Sequence, residues 1–254
     1  MIIAKGKNNI LIIYCNKGLV IKISKYRSEW KYLLRNQELS SMKERVSKIL
    51  ELDPHTPSGG RYLIHSLYFD NYRNDSLYGN LAGLGIKYKW RIRYYGDDLT
   101  YLKLEKKEKL DAGGRKKDCK LTLDEYNLIV SGNIEELVYE TSKKLIKELA
   151  VDMMKNGYHP EIIIDYERIA YVEEISNVRV TFDMKISASY ELDKFLDNDY
   201  RKFYIMPNNM NLLEVKFDHI LPSYIKNILE LNSMNQTSFS KYYFGRKIVN
   251  SYMR

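Results

Sequence analysis

Cysteine is nearly absent: Cys15 and Cys119 are the two in 254 residues, and they form no Cys-x-x-Cys pair. That argues against a disulfide framework or a zinc knuckle and fits a reducing, cytoplasmic setting. The four histidines, His55, His65, His159 and His219, are dispersed and build no His-Glu-x-x-His cluster. No run approaches the roughly 18 apolar residues expected of a membrane span, and Ile10-Leu-Ile-Ile-Tyr14 is too short for a signal-peptide core. The chain also lacks internal repeats, low-complexity tracts and Pro/Gly-rich linkers, so one principal domain is the better reading. Finally, there is no Gly-x-x-x-x-Gly-Lys-Ser/Thr loop, no Gly-x-Gly-x-x-Gly, no kinase motif set and no evident Ser/His/Asp arrangement. A nucleotide bound here would be met by side-chain cations, not by a glycine-rich backbone cradle.

What is present is charge and aromatic bulk. Hydrophobic residues make up 44% of the chain, enough for a sizeable core without metal or disulfide staples. Lys and Arg number 41 against 33 Asp and Glu, a net charge of +8 that favours nucleic acid, acidic lipid or phosphorylated small molecules without choosing among them. The 23 tyrosines suit a β-rich domain.

The charges are patterned. In Arg27-Ser-Glu29-Trp-Lys31, Lys89-Trp-Arg91-Ile-Arg93, Lys103-Leu-Glu105-Lys-Lys107-Glu-Lys109, Arg179-Val-Thr181-Phe-Asp183 and Glu214-Val-Lys216, charged side chains fall at every second position. A strand sends alternate side chains to opposite faces, so each set points one way. Several such strands closed into a barrel make a lumen lined with cations and a few carboxylates, a site for a polyanion.

Elsewhere the pattern predicts strands over 62–69, 87–95, 100–109, 115–120, 160–172, 177–184 and 212–217, with a strand pair near 10–13 and 19–23. Helices are predicted over 38–50, over 122–130 behind the capping box Thr122-Leu-Asp-Glu125, over 135–155 as one long element, over 221–231 and over 239–250. This order reads as α+β, mostly antiparallel with helices grouped outside.

Arg91 and Arg93 share a strand face with Lys89, and Arg suits bidentate phosphate contact better than Lys. An Arg-x-Arg pair on its own more often sits solvated on a surface. Lys103, Glu105, Lys107 and Lys109 equally fit cross-strand ion pairs. Glu214 and Lys216 lie between Leu213 and Phe217, so they need partners or a task, since unpaired buried charge is costly. Hard carboxylate oxygens suit Mg²⁺ or Mn²⁺, which makes Glu214, Glu29 and Glu105 candidate metal ligands. Structural ion pairs are the alternative for each.

Taken together, these segments resemble the VTC domain, the polyphosphate polymerase domain of the triphosphate tunnel metalloenzyme superfamily. The landmarks are Tyr26-Arg-Ser-Glu-Trp-Lys-Tyr32, Ser66-Leu-Tyr-Phe-Asp70, Lys89-Trp-Arg-Ile-Arg-Tyr-Tyr95, Leu104-Glu-Lys-Lys107, Tyr166-Glu-Arg-Ile-Ala-Tyr171, Asn177-Val-Arg-Val-Thr-Phe-Asp183, Leu213-Glu-Val-Lys216 and Phe239-Ser-Lys-Tyr242. The resemblance implies a closed antiparallel tunnel of about eight strands, residues 25–254, behind an N-terminal extension, 1–24. It implies that Lys31, Arg91, Arg93, Lys107, Arg168, Arg179, Lys216 and Lys241 act on phosphate in the lumen. Lys89, Lys103, Lys116 and Ser240 complete the binding set, Lys116 being preferred over Arg115 and Lys117 as the inward residue. It implies that Glu214 holds a catalytic Mn²⁺ or Mg²⁺, and that ATP and polyphosphate are the partners. Lys87 and Gly79-Asn80 depart from the Arg and Glu-Asn usual in bacterial relatives. The implied activity is transfer of the terminal phosphoryl group of ATP to polyphosphate. A triphosphatase and a non-catalytic sensor remain open on the same scaffold, while specific nucleic-acid binding is disfavoured. Any membrane link would need a separate partner.

Overall fold

The computed structural model describes residues 2–5, 10–14, 20–24, 27–57, 59–79, 87–110, 113–218 and 220–253. Leu19, Tyr26, Asn80 and His219 therefore lie outside the described residues. Strands β1 (Ile2–Lys5), β2 (Ile10–Tyr14) and β3 (Val20–Ser24) form a three-stranded antiparallel sheet of their own.

The main sheet runs in the spatial order β4 (Arg27–Arg35), β13 (Met210–Asp218), β11 (Val178–Ser189), β10 (His159–Glu173), β6 (Tyr62–Asp70), β7 (Lys87–Tyr95), β8 (Asp98–Leu110) and β9 (Gly113–Lys120). Every pairing along this path is antiparallel. Two-residue strands β5 (Glu51–Leu52) and β12 (Phe203–Tyr204) add to β10 and β11. The sheet curls until its edge strands β4 and β9 approach within 8 Å, Cα to Cα. Glu29 on β4 meets Lys107 on β8 at 3.1 Å across that closure. Among the described residues no strand pairing joins the two edges, so side chains make the closure.

Helices cover the outside. The first, α1 (Asn36–Ser47), packs with α6 (Ser223–Ile228) on the outward residues Tyr32, Leu34, Val180, Phe182, Leu213 and Val215. On the other flank, α3 (Leu123–Ser131), α4 (Ile134–Glu140) and α5 (Lys144–Asn156) cover Trp90, Ile92, Leu102 and Leu104. The Trp90 Nε1–H donates to Asp152 Oδ2 at 2.7 Å and ties β7 to α5. Region 135–155 is thus two helices, not one. The break is at Thr141, whose hydroxyl donates to Glu125 Oε1 and accepts the Lys143 N–H, offering the backbone an alternative to helix. The predicted helix over 221–231 likewise stops at Ile228.

The short α2 (Asp75–Tyr78) and the last helix, α7 (Lys241–Tyr252), take the opposite position. Leu77, Phe239, Tyr242 and Val249 pack against Ile64, Tyr68, Ile162, Ile164, Ile186 and Ala188, on the inner face of the sheet. That face is apolar at one end and charged at the other. A bulge in β11 makes this possible. Lys185 and Ile186 together oppose Tyr166, which moves the inward positions from Arg179, Thr181 and Asp183 to Ile186 and Ala188.

Gly245 lets α7 settle there. A Cβ at this position would collide with Ile164 Cδ1 and lie 3.3 Å from Ala188 Cβ, both on fully or almost fully buried residues. Alanine normally improves a helix by about 1 kcal/mol over glycine. Here overpacking costs about 1–3 kcal/mol and wins. Gly245→Ala is expected to lower the melting temperature in a thermal scan; an unchanged or higher value would contradict this packing.

Candidate active site

Strand register aligns the charged side chains into rungs. Glu29, Lys216 and Arg179 lie opposite one another on β4, β13 and β11, and Lys31, Glu214 and Thr181 form the next rung. Across the sheet, Tyr68, Arg91, Glu105 and Asp118 form one rung, and Ser66, Arg93, Lys103 and Lys120 another. Lys89, Lys107 and Lys116 make a third, all cationic.

On one side the carboxylates are wrapped in cations. Glu214 Oε1 accepts from Lys241 Nζ at 2.7 Å, with Lys31 Nζ at 3.8 Å. Its Oε2 has only longer contacts, Arg168 Nη2 at 3.5 Å and Lys216 Nζ at 3.6 Å. Burial would raise the Glu214 carboxyl, but Lys241, Lys216, Lys31 and Arg168 hold it well below the usual range. Asp183, fully buried, accepts a forked pair from Arg168 Nε and Nη2 at 2.6 and 2.7 Å, and Lys241 Nζ lies 2.7 Å away. Glu29 meets Lys31 at 3.2 Å and Lys107 at 3.1 Å. Burial pushes Lys216 down to about 8, an effect that Glu214 and Glu29 offset only in part.

The start of α7 is positioned by β4. Lys31 Nζ donates to Phe239 O at 2.8 Å, and the Thr237 N–H donates to Lys31 O at 2.8 Å. Ser240 caps the helix by accepting the Tyr243 N–H, which leaves its hydroxyl proton available as a donor. Tyr242 donates to Asp70 and accepts from Arg246, anchoring the helix body to β6.

On the other side Arg91 Nε donates to Glu105 Oε2 at 2.5 Å and its Nη1 to Tyr68 OH at 2.9 Å. Arg93 donates to Ser66 Oγ at 3.0 Å and Tyr166 OH at 3.1 Å. Lys116 points inward, its Nζ 2.5 Å from Glu105, whereas Lys117 points outward to Glu148. Burial would raise the Glu105 carboxyl, but Arg91, Arg93 and Lys116 lower it strongly. Burial also favours the neutral phenol of Tyr68, yet Arg91, Arg93 and Lys89 pull it down to about 8.

Several cations lack a full complement of partners. Among the described residues Lys89 and Lys103 have no ion pair, and Lys89 Nζ lies over the Tyr242 ring at 4.7 Å. Burial pushes Lys89 down to about 8, against the pull of Tyr68 and Asp70. Arg179 pairs with Asp53 at 2.8 Å, but its buried Nε–H has no acceptor. A buried donor without an acceptor is costly unless a ligand supplies one.

Among the described side chains, Lys31, Lys89, Arg91, Arg93, Lys103, Lys107, Lys116, Arg168, Arg179 and Lys216 thus share one face of the sheet with Glu29, Glu105 and Glu214, and Lys241 reaches it from α7. The sequence reading did not single out Asp183 as a ligand, nor Tyr68, Tyr166 and Ser66 as partners of the arginines. Asp183 and Tyr166 lie at even steps from Arg179 and Arg168 on the same strands, a signal the sequence carries, whereas Ser66 and Tyr68 meet the arginines only through the β6–β7 register. Of Lys87 only the backbone is described.

A divalent metal suits these donors chemically. Glu214 and Asp183 are hard oxygen ligands close enough to share one ammonium group. Among the described residues no three Asp, Glu, His or Cys side chains are grouped to hold a metal alone. Phosphate and water oxygens would complete the shell, the usual arrangement for Mg²⁺.

Among solved structures the chain is similar to a provisionally assigned adenylate cyclase from Bacillus halodurans, at 16% identity and TM-score 0.49, covering 86% of this chain and 96% of that one. It is also similar to a conserved hypothetical protein from Pyrococcus furiosus, at 10% identity and TM-score 0.38, covering 82% and 88%. A protein from Pyrococcus horikoshii OT3 gives 10% identity and TM-score 0.37, covering 80% and 86%. No curated protein matches. No helix is long and apolar enough to cross a membrane among the described residues. Residues 26–250 match the model of the VTC domain, and on that match across most of its length the chain belongs to the VTC domain family.

Proposed function

We propose that this protein is a metal-dependent polyphosphate polymerase that moves the terminal phosphoryl group of ATP onto a polyphosphate chain inside the cationic lumen. One observation carries the reading. In a single lumen, Lys31, Lys89, Arg91, Arg93, Lys103, Lys107, Lys116, Arg168, Arg179, Lys216 and Lys241 outnumber the carboxylates Glu29, Asp70, Glu105, Asp118, Asp183 and Glu214. Family membership supports the same assignment.

Phosphoryl transfer asks little covalent work of a protein, so positioning and neutralisation of oxygen charge dominate. Arg91 and Arg93 are held on their acceptors in fixed orientations and offer their remaining N–H groups to phosphate oxygens. Lys89, Lys103 and Arg179 supply donors that the protein itself does not fully use. Lys31, Lys107, Lys116, Arg168, Lys216, Ser240 and Lys241 complete the cradle. A metal held by Glu214, with Asp183 and Glu29 nearby, would polarise phosphate oxygens. The P–O bond to ADP breaks as the chain's terminal oxygen bonds the same phosphorus.

With γ-labelled ATP and a short polyphosphate primer, label is expected in lengthened chains. Label recovered only as free phosphate would make water the acceptor and the protein a triphosphatase.

Charge on Lys89 sets a pH dependence. Its folded value lies below the ordinary lysine value, so the ammonium is lost as pH rises through about 8. Lys216, also pushed down to about 8, loses its charge over the same range, and Tyr68 gains negative charge there, in the same unfavourable direction. Affinity for tripolyphosphate, measured calorimetrically, is expected to fall as pH rises from about 7 to about 9, and Lys89→Met should weaken binding at pH 7 and make the fall shallower. An affinity independent of pH in this interval would remove Lys89 and Lys216 from the binding set.

A further inference from the structure

We propose that Lys241 occupies the metal position in the ligand-free protein, and that a divalent cation enters only together with a polyanion that draws Lys241 away. This rests on the reading that Glu214 and Asp183 serve a divalent cation in a phosphate-binding lumen.

The Lys241 ammonium sits 2.7 Å from both Glu214 Oε1 and Asp183 Oδ2, bridging two buried carboxylates on neighbouring strands as a bound cation would. Asp183 is further held by the Arg168 fork, and Glu214 is flanked by Lys31 and Lys216. Around Glu29, Asp183 and Glu214 the cations Lys31, Arg168, Lys216 and Lys241 already exceed the negative charge. A bare dication approaching this cluster meets net repulsion and a desolvated ammonium in its place. A tripolyphosphate unit reverses the sign of the local field. Its oxygens offer Lys241, Lys31 and Lys216 new partners, which releases the carboxylates.

The exchange needs no movement of the helix. Tyr242 is tied to Asp70, and Arg246 reaches Glu161 at 2.8 Å and Asn74 at 2.8 Å, so the body of α7 is fixed. Lys241 is the first helical residue and carries a flexible four-carbon stem. A swing of that side chain trades carboxylate for phosphate.

The test is Mn²⁺ uptake by the full chain without any polyanion, read from the resonance signal of free aquated Mn²⁺. Wild type is expected to leave Mn²⁺ free, and Lys241→Gln to bind it at least about tenfold more tightly. Micromolar Mn²⁺ binding by wild type alone would overturn the proposal, as would a folded Lys241→Gln variant that gains no affinity. The wild-type protein gives a second readout through the ¹⁵N resonance of the Lys241 ammonium. Mg²⁺ alone should leave it in place, while Mg²⁺ with tripolyphosphate should shift it; a shift with Mg²⁺ alone, or none with both, would overturn the proposal. Neither readout depends on turnover. An active polymerase that binds Mn²⁺ unaided would sink this inference and leave the functional reading standing.

Discussion

Glu214→Gln is expected to reduce metal-dependent transfer from ATP by at least about 10²–10³-fold while leaving polyphosphate affinity equal or higher. The substitution keeps the shape of the side chain and removes one negative charge from the centre of the lumen. Lys31, Arg168, Lys216 and Lys241 then have less competition for phosphate oxygens. The same four cations repel one another more, so the unliganded variant should be less stable than wild type. Added polyphosphate should therefore raise its melting temperature by more than it raises that of wild type. This opposition between lost turnover and preserved binding separates a metal ligand from a structural ion pair. A variant that turns over normally would remove the metal from Glu214, and one that no longer binds polyphosphate would make the residue a structural brace.

Asp183→Asn carries the largest expected effect on stability. Asp183 is fully buried and accepts from Arg168 through two nitrogens while lying 2.7 Å from Lys241. Breaking one partner of a buried charge pair leaves the other charge uncompensated, typically at a cost of about 3–5 kcal/mol. For a chain of this size each kcal/mol corresponds to about 2–4 °C in melting temperature, so a fall of about 10 °C is expected in a calorimetric scan. Acid should mimic the substitution. Burial opposes ionisation of Asp183, but Arg168 and Lys241 outweigh it and lower its folded value below the unfolded one. Its contribution is thus present above the ordinary aspartate range and is lost as pH falls through that depressed value. A variant as stable as wild type would mean that Arg168 and Lys241 find sufficient partners in Glu214 alone.

The charged half of the lumen was readable in the sequence because a strand has a period of two. Alternation in Lys89-Trp-Arg91-Ile-Arg93 and Glu214-Val-Lys216 puts the charged side chains of each stretch on one face, and strand pairing sets the rungs. The family resemblance and the distance to Cys119 favour Lys116 over Arg115 and Lys117, and β9 turns it toward Glu105. The apolar half was hidden for a local reason. The expected strand stopped at Met184 because the bulge at Lys185 breaks the alternation, and β11 continues to Ser189 with its inward positions shifted by one. Burial of α7 on the inner face was hidden too. An amphipathic helix does not declare which surface it will cover, and only Gly245 marks the close approach. Thr141 ended a helix through a side-chain bond to Glu125, sixteen residues earlier, which helical spacing does not encode.

Asp183 was missed for a related reason. It lies on the chosen face of a chosen strand, yet its importance comes from Arg168 on β10 and Lys241 on α7, two partners distant in sequence. The candidate site is therefore a sum of parities that sequence reveals and long-range pairings that only the fold supplies.

The most direct measurement is incubation of the purified chain with ATP and Mn²⁺, assaying ADP, free phosphate and polyphosphate together, alongside an Arg91→Met/Arg93→Met double variant. The wild-type protein is expected to form ADP and chain-bound phosphate in equal amounts, and the double variant to form neither. ADP accompanied only by free phosphate, or polymer still made by the double variant, would contradict a lumen that builds polyphosphate.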